Sequence, residues 1–339
     1  MIIVVKPGAS EEQVREILDQ LDTHGLKAHI SEGSERMIIG VIGDKSRLSV
    51  DSLEVLSAVE KIVPIMESYK LASKAFRPEG TSFSIGDVVL GGQEIVMMAG
   101  PCAVESEEQV DQVAESIRRS GAKFLRGGAY KPRTSPYAFQ GLEREGLKIL
   151  RKVADRHGLL VISEITSETD IEYAKEYVDM IQIGARNAQN FRLLSSVGKS
   201  GIPVLLKRGI AETIDELLGS AEYVMSEGNY KIALCERGIR TFETATRSTL
   251  DISAIPVLKS KTHLPVIVDP SHAAGKSKYV AALSRAAIAA GADGLIIEVH
   301  PNPKVALSDA AQQLTPEAYQ VLCDEIKAMS TILGRTYPQ

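Results

Sequence analysis

The chain has 339 residues, of which 44% are hydrophobic and 24% charged, as in a typical globular protein. Its net charge of −5 argues against a general binder of nucleic acid or anionic membranes, because no surplus of Lys and Arg is available to neutralise phosphates. Three cysteines, Cys102, Cys235 and Cys323, show no Cys-x-x-Cys spacing and argue against a disulfide scaffold or a zinc ribbon. The sequence shows no signal-peptide pattern and no run of about 20 apolar residues, so we predict a cytoplasmic protein.

The first 75 residues predict a small domain of their own. Its predicted elements are a strand over residues 1–5, a helix from Ser10 towards Gly25, strands over 26–31 and 37–42, a helix over 50–56 and a strand over 59–66. This βαββαβ order is that of a ferredoxin-like α+β module. The module holds no cluster of catalytic residue types. We therefore weigh a role in oligomer contact or stabilisation against one as a small-ligand sensor.

Residues 76–93 predict a linker and a short hairpin, and residues 94–339 predict a (β/α)₈ TIM barrel. Eight short apolar runs alternate there with amphipathic helical patterns. The predicted strands cover residues 95–100, 123–127, 159–164, 180–184, 203–208, 231–236, 265–269 and 294–298, and the predicted helices include 107–119, 143–157, 170–178, 214–226, 278–290 and 315–333. An open doubly wound sheet would need a Gly-rich dinucleotide loop, which Gly100-Pro101-Cys102 is not.

Each predicted strand ends beside a residue type that carries chemistry. The residues are Cys102, Arg126, Glu164, Arg186, Lys207, Arg237, His272 and Glu298. Because the carboxyl ends of barrel strands form the active site, we expect these side chains to converge at one mouth. Charged residues placed by chance would fall at both ends of the strands, so their position at one end supports this expectation.

A group of cations is expected at this mouth. The group consists of Arg126, Lys131, Arg133, Arg186, Lys207 and Arg237. These charges would repel one another unless anions lie among them, so a substrate with several negative charges is implied. Each cation taken singly is equally well explained by a structural salt bridge. The loop that ends at Pro136 adds glycines, prolines and the hydroxyls of Thr134 and Ser135, which suit a phosphate; a basic solvated turn is the alternative.

Four residues spread along the sequence can act as metal ligands if the barrel brings them together: Cys102, His272, Glu298 and Asp309. A thiolate, an imidazole and two carboxylates suit Mn²⁺, Fe²⁺, Co²⁺ or Zn²⁺ better than Mg²⁺ or Ca²⁺. Outside a barrel, Cys102 would be a buried small residue and His272 a loop residue. Glu164 either positions a water or neutralises the cations. Asp269 either supports the metal site or forms a salt bridge.

Several ordered segments resemble the type Iβ 3-deoxy-D-arabino-heptulosonate-7-phosphate (DAHP) synthases. They include Ala99-Gly100-Pro101-Cys102, the run from Arg126 to Pro136, Ile183-Gly184-Ala185-Arg186-Asn187, Leu206-Lys207-Arg208-Gly209, Cys235-Glu236-Arg237-Gly238 and Asp269-Pro270-Ser271-His272. One subgroup of this family carries an N-terminal ferredoxin-like regulatory domain of this size. The resemblance implies the first step of the shikimate pathway, in which phosphoenolpyruvate, erythrose 4-phosphate and water give DAHP and phosphate.

The resemblance also implies roles for individual residues. Cys102, His272, Glu298 and Asp309 match the ligands of one divalent metal ion per subunit; Arg126, Lys131, Arg186, Lys207 and Arg237 match a phosphoenolpyruvate clamp; Arg133, Thr134 and Ser135 match a cradle for the erythrose phosphate. We expect Lys131 to deliver a proton and Glu164 to orient the attacking water. The first domain would mediate inhibition by tyrosine or phenylalanine, with His29 and Ser31 as polar candidates or as ordinary exposed residues. A homotetramer is the implied assembly.

Three other functions stay open from the sequence. The related 3-deoxy-D-manno-octulosonate-8-phosphate synthase uses arabinose 5-phosphate, but characteristically has Ala-Asn where this chain has Pro132-Arg133. A non-enzymatic anion or metal sensor would be a barrel that has lost activity. A Schiff-base aldolase would use Lys207 and would resist chelators.

Overall fold

A computed structural model describes residues 1–32, 37–42, 48, 50–63, 69–133 and 135–338. The chain divides into two compact units, Met1–Glu67 and Ser68–Gln339, whereas the sequence places the boundary at residue 75. The segment that follows Glu67 is bonded to the barrel: the backbone N–H groups of Leu71 and Ala72 each donate to the Glu222 carboxylate over 2.9 Å.

The first unit has the predicted ferredoxin-like order. Its elements are β1 (Ile2–Val5), α1 (Glu11–Thr23), β2 (Lys27–Glu32), β3 (Met37–Ile42), α2 (Val50–Glu54) and β4 (Val59–Val63). The strands form one sheet in the order β2-β3-β1-β4, and the paired strands are antiparallel. Helix α1 begins at a capping box between Ser10 and Gln13 and buries Ile17 and Leu21 against the sheet residue Ile3.

The second unit begins with a hairpin and continues as a barrel. Its strands are β5 (Phe83–Ile85), β6 (Val88–Leu90), β7 (Val96–Gly100), β8 (Phe124–Arg126), β9 (Leu160–Glu164), β10 (Met180–Ile183), β11 (Val204–Lys207), β12 (Ile232–Glu236), β13 (Val266–Val268) and β14 (Gly294–Glu298). Strands β7 to β14 pair in parallel around a closed ring, in which β14 meets β7. The predicted eight-stranded barrel is confirmed in the described part of the chain.

Helices surround the strands. They are α3 (Glu107–Arg119), α4 (Glu143–His157), α5 (Ile171–Ala174), α6 (Phe191–Ser200), α7 (Ile214–Ser226), α8 (Ala254–Lys261), α9 (Pro270–Ala274), α10 (Ser277–Ala289) and α11 (Pro316–Ile332). The predicted helix over 170–178 is shorter than expected: α5 ends at Ala174, whose C=O then accepts from the N–H groups of both Tyr177 and Val178. None of the described helices combines the length and apolar character that a bilayer crossing requires.

The barrel has two apolar cores. One lies between the strands and the outer helices, where α3 contributes Val110, Val113 and Ile117 at helical spacing. The other fills the ring itself, and the β5-β6 hairpin contributes Val88 and Leu90 to it. The hairpin packs against this interior, while the strands carry their polar residues at the opposite, carboxyl-terminal ends.

The turn before β13 contains a buried histidine whose proton we expect to influence stability. His263 Nε2 lies 2.7 Å from Leu71 C=O, so Nε2 carries the hydrogen and Nδ1 accepts from the Thr81 hydroxyl over 2.6 Å. Burial lowers the pKa of His263, and the nearby cations Arg77 and Lys74 act in the same direction.

We therefore predict that the barrel loses stability as the pH falls below about 6.5, where the unfolded histidine takes up a proton and the folded one resists it. The stabilising effect is complete above that pH and is lost as the pH approaches the lowered folded-state pKa of His263. Thermal denaturation of the wild type and of His263→Gln at pH 7.5 and 5.5 measures this. The Tm of the wild type should fall further between pH 7.5 and 5.5 than the Tm of the variant. Equal decreases would contradict the role of His263 in this pH dependence.

Candidate active site

The carboxyl ends of the barrel strands open into one pocket of about 350 Å³. Most of the residues predicted from strand ends and from the basic loop line it. The lining includes Arg126, Lys131, Pro132, Arg133, Ser135, Glu164, Gln182, Gly184, Arg186, Lys207, Arg237, Arg247, His272 and Asp309. Thr134 lies outside the described residues, as do the side chains of His29 and Ser31 in the first unit.

The four predicted metal ligands come together beside this pocket. Cys102 follows β7, Glu298 ends β14 and Asp309 lies in the next loop, and their ligand atoms are all within 4.8 Å of one another. His272 lies on α9 with Nε2 at 3.5 Å from Glu298 Oε1 and 3.9 Å from Asp309 Oδ2. Cys102 and Glu298 are buried, whereas His272 and Asp309 reach the pocket.

Asp269 orients the histidine of this cluster. It caps α9 by accepting from His272 N–H at 2.9 Å, and its other oxygen lies 2.7 Å from His272 Nδ1. The carboxylate accepts the Nδ1 hydrogen, which leaves the Nε2 lone pair directed towards Glu298 and Asp309. Asp269 also forms an ion pair with Lys207. Both alternatives for Asp269, support of the cluster and a salt bridge, are therefore present.

The protonation states of the cluster suit a divalent cation. Burial, reinforced by Glu298, raises the pKa of the Cys102 thiol to about 12, and burial lowers the pKa of His272. Burial raises the pKa of Asp309, but the charges of Arg247, His272 and Lys131 together outweigh it and lower the pKa to about 2. A neutral imidazole and two carboxylates are ready to bind, and a cation would supply the charge that a thiolate needs. This donor set fits a divalent transition metal.

Three cations of the pocket are buried. Arg126 donates to Glu298 over 2.9 Å, but its Nε has no hydrogen-bond partner among the described residues. Arg237 forms hydrogen bonds of 3.3 and 3.4 Å to Ser248 and Gly238, and burial lowers its pKa. Lys207 pairs with Asp269. Buried guanidinium groups whose donors are incompletely used are well suited to bind an anion.

The basic loop contributes two cations, Lys131 and Arg133, to the pocket. Lys131 points towards the cluster, where its Nζ lies 2.9 Å from Cys102 C=O and 3.1 Å from Cys102 Sγ. Arg133, two residues later, donates to the Ser308 hydroxyl over 2.6 Å. Pro132 lies between them in the sequence, Ser135 is exposed, and all four residues line the pocket.

Glu164 also lines the pocket, and its carboxylate accepts from Gln182 Nε2 over 3.0 Å. The residue at position 184 must be glycine for this arrangement, because a Cβ there would lie 2.1 Å from Glu164 Oε1. A fixed carboxylate on the pocket surface can hold a water molecule or neutralise the neighbouring cations, the two roles that the sequence suggests for it.

Besides Gln182 on β10, sequence reasoning missed four polar residues of the site. They are Arg247, Ser308, Gln312 and Gln313. Arg247 forms an ion pair of 3.2 Å with Asp309, and Ser308 accepts from both Arg133 and the Cys102 thiol. Arg247 follows β12 by more than ten residues, and the glutamines follow β14 at a similar distance, so no strand end indicates them. The one available signal is their position in loops at the carboxyl-terminal face.

Comparisons with known proteins cover both units. The model of the DAHP synthetase I family matches residues 71–333, and that of the DAHP synthase ferredoxin-like domain matches residues 1–67. A phospho-2-dehydro-3-deoxyheptonate aldolase of Thermotoga maritima is 52% identical over 334 residues, which are 98% of this chain and 99% of the relative. A 2-dehydro-3-deoxyphosphooctonate aldolase of Syntrophotalea carbinolica is 32% identical over 74% of this chain and 97% of the relative.

Solved structures agree with these matches. A crystal structure of a phospho-2-dehydro-3-deoxyheptonate aldolase (DAHP synthase) from Thermotoga maritima is 51% identical, covers 99% of this chain and 98% of its own, and has a TM-score of 0.88. A truncated 3-deoxy-D-arabino-heptulosonate 7-phosphate synthase from the same organism is 50% identical, covers 80% of this chain and 99% of its own, and has a TM-score of 0.75.

Proposed function

The chain belongs to the DAHP synthetase I family, and from this membership we propose that it is a metal-dependent DAHP synthase. It condenses phosphoenolpyruvate with erythrose 4-phosphate and water, giving DAHP and phosphate. The observation that carries the proposal is a single pocket in which a Cys/His/Glu/Asp cluster adjoins cations on both sides of Pro132.

The buried cations form the proposed phosphoenolpyruvate subsite. The buried members are Arg126, Lys207 and Arg237, and Lys131 and Arg186 complete the set. Phosphoenolpyruvate carries a phosphate and a carboxylate, and the buried guanidinium groups of Arg126 and Arg237 are suited to such an anion. Arg133, Thr134 and Ser135 are the proposed cradle of the erythrose phosphate, beyond Pro132.

The reaction joins C3 of the enol phosphate to the aldehyde carbon of the sugar phosphate. A divalent ion held by Cys102, His272, Glu298 and Asp309 would polarise the aldehyde as a Lewis acid; Mn²⁺, Fe²⁺, Co²⁺ and Zn²⁺ are the candidates. Lys131 delivers a proton to the aldehyde oxygen as the new bond forms. Glu164 orients the water that adds to C2, after which the C2–O bond to phosphate breaks and phosphate leaves.

The rival sugar is arabinose 5-phosphate, the substrate of the octulosonate-8-phosphate synthases. Relatives named 2-dehydro-3-deoxyphosphooctonate aldolase match this chain at 30–32% identity, against 52% for the heptonate aldolase. Pro132 and Arg133 supply a rigid turn and a guanidinium where the resemblance implies Ala-Asn in the rival family. We therefore favour the four-carbon sugar phosphate.

We predict that phosphate release from phosphoenolpyruvate requires erythrose 4-phosphate and is at most weakly supported by arabinose 5-phosphate. In Arg133→Ala, the KM for erythrose 4-phosphate should rise at least about tenfold, because the variant loses one charge-assisted hydrogen bond worth about 1.5–3 kcal/mol. The KM for phosphoenolpyruvate should change little. Arg192→Ala is the control, since this arginine is exposed on α6. Preference for the five-carbon sugar would overturn the proposed substrate.

Two other function classes predict different results in the same assay. A sensor barrel would release no phosphate from any substrate pair. A Schiff-base aldolase would keep its activity in the presence of a chelator and would be trapped by borohydride at Lys207. Lys207 forms a buried ion pair with Asp269, so its nitrogen is already engaged and is not presented as a nucleophile for a carbonyl.

Regulation and assembly are part of the proposal. We propose that the ferredoxin-like unit binds tyrosine or phenylalanine and that four chains assemble. Inhibition assays on the full chain and on a chain lacking residues 1–67 test the regulatory role, and light scattering tests the tetramer. The deletion should stop at residue 67, because Leu71 and Ala72 bond to Glu222 of the barrel. Unchanged sensitivity after the deletion would contradict regulation through this unit.

A further inference from the structure

Two adjacent glutamines lie behind the Cys/His/Glu/Asp cluster. Gln312 and Gln313 follow Asp309 closely in sequence, and each is only 2% exposed. Buried amides need partners for both their oxygen and their nitrogen. These two side chains form hydrogen bonds to Cys102 and Glu298 of the cluster, and to Ser308 and Arg247, which adjoin Asp309.

Gln313 joins the two backbone segments that carry Cys102 and Asp309. Its Oε1 accepts from Cys102 N–H over 3.0 Å, and its Nε2 donates to Ser308 C=O over 2.9 Å. Asp309 itself has a φ of +48°, in the left-handed region that residues other than glycine seldom adopt. An anchor on the carbonyl just before it therefore fixes the direction of the Asp309 side chain.

Gln312 joins the carboxylates. Its Nε2 donates to Glu298 Oε2 over 2.7 Å and lies 3.5 Å from Asp309 Oδ2, while its Oε1 accepts from Arg247 over 2.9 Å. Arg247 in turn contacts Asp309 over 3.2 Å. The amide thus bridges two carboxylates that would otherwise repel each other.

We propose that Gln312 and Gln313 are positioning residues that pre-organise the metal site, holding Cys102, Glu298 and Asp309 in place before an ion arrives. The inference rests on the metal dependence proposed above. Hydrogen bonds to ligating groups fix their orientation, and their loss commonly weakens metal affinity about 10–100-fold. Neither glutamine lines the pocket, so neither is expected to touch a substrate.

The test measures metal affinity directly, with Co²⁺ alone and without substrates. Gln312→Met and Gln313→Met keep the side-chain length and remove the amide. We expect the Kd for Co²⁺ to rise about 10–100-fold in each variant and the Co²⁺–thiolate absorption band of Cys102 to shift or weaken. A merely structural role would leave both the affinity and the absorption band unchanged.

Asn229→Leu is the matched control. Asn229 is also a buried amide, bonded to Ile202 C=O and Lys231 N–H, and it lies outside the pocket. It should lower Tm without changing the Kd for Co²⁺. Should Gln312→Met fail to fold, Gln313→Met decides the question alone.

The results separate the two proposals. A wild-type chain that binds no Co²⁺ would defeat the proposed metal dependence. A wild type that binds Co²⁺, with glutamine variants within twofold of its Kd, would overturn only the positioning role. The positioning role would also be overturned if Asn229→Leu weakened Co²⁺ binding as much as the glutamine variants do.

Discussion

Replacement of Cys102 by alanine should lower turnover more than about 100-fold, because even residues that only support a metal ligand commonly cost 10–100-fold. Cys102 is fully buried beside Glu298 and Asp309, and burial raises the pKa of its thiol to about 12 even with Lys131 nearby, so a bound metal ion would be needed to form the thiolate at neutral pH. Alanine cannot supply that ligand. Metal content, measured on the purified variant, should fall together with the rate of phosphate release from the two substrates.

Cys235→Ala provides the control for this experiment. Cys235 is equally buried, on β12, but it belongs to the apolar interior of the barrel and not to the metal cluster. It should retain its metal and most of its turnover despite losing some stability. A chelator should reproduce the Cys102→Ala effect on the wild type, and added Mn²⁺ should reverse it. Full activity of Cys102→Ala in a chelator would refute metal catalysis.

The second large effect is expected at Lys131. Lys131→Met should lower kcat by about 10²–10⁴-fold, the usual contribution of a positioned proton donor. The ammonium lies at the junction of the cluster and the proposed phosphoenolpyruvate subsite, 3.1 Å from Cys102 Sγ. Methionine fills a similar volume without a charge or a proton. The loss is measured by steady-state kinetics with both substrates, in which the released phosphate is monitored.

Two comparisons distinguish proton delivery from simple binding at Lys131. Lys131→Ala should be partly rescued by added primary amines, with a rate that depends on the pKa of the amine, whereas loss of a binding contact alone would show no such dependence. Lys259→Met is the control, because Lys259 is also partly buried but forms its ion pair, with Asp293, outside the pocket. Undiminished turnover of Lys131→Met would exclude Lys131 as the proton donor.

The barrel and most of its site residues could be predicted because two periodic signals coincide. Alternating apolar runs and amphipathic helices indicate the parallel ring, and the geometry of that ring brings every strand end to one face. Arg126, Lys207 and Glu298 each occupy such an end, so their convergence follows from the strand positions alone. The same logic extends to Cys102, which lies two residues beyond β7.

Residues on the long loops could not be predicted in this way. Arg247, Gln312 and Gln313 meet the cluster because of how their loops fold back, and no periodic pattern specifies that path. His272 is expected at a strand end, but it lies on the short helix α9, where its orientation depends on the Asp269 cap. Pairwise contacts of this kind are set by three-dimensional packing and not by spacing along the chain.

The contact between Glu164 and Gly184 has a consequence for the divergence of related sequences. A side chain at position 184 would occupy the space of the Glu164 carboxylate, with the Cβ only 2.1 Å from Oε1. A Cβ at position 184 therefore requires the Glu164 carboxylate to move or to be replaced, whereas Glu164 can be replaced while Gly184 stays. Relatives that carry alanine or serine at position 184 should also have replaced the glutamate at 164, so the two positions should covary. A relative with glutamate at position 164 and alanine at position 184 would have to place the glutamate side chain differently from this structure.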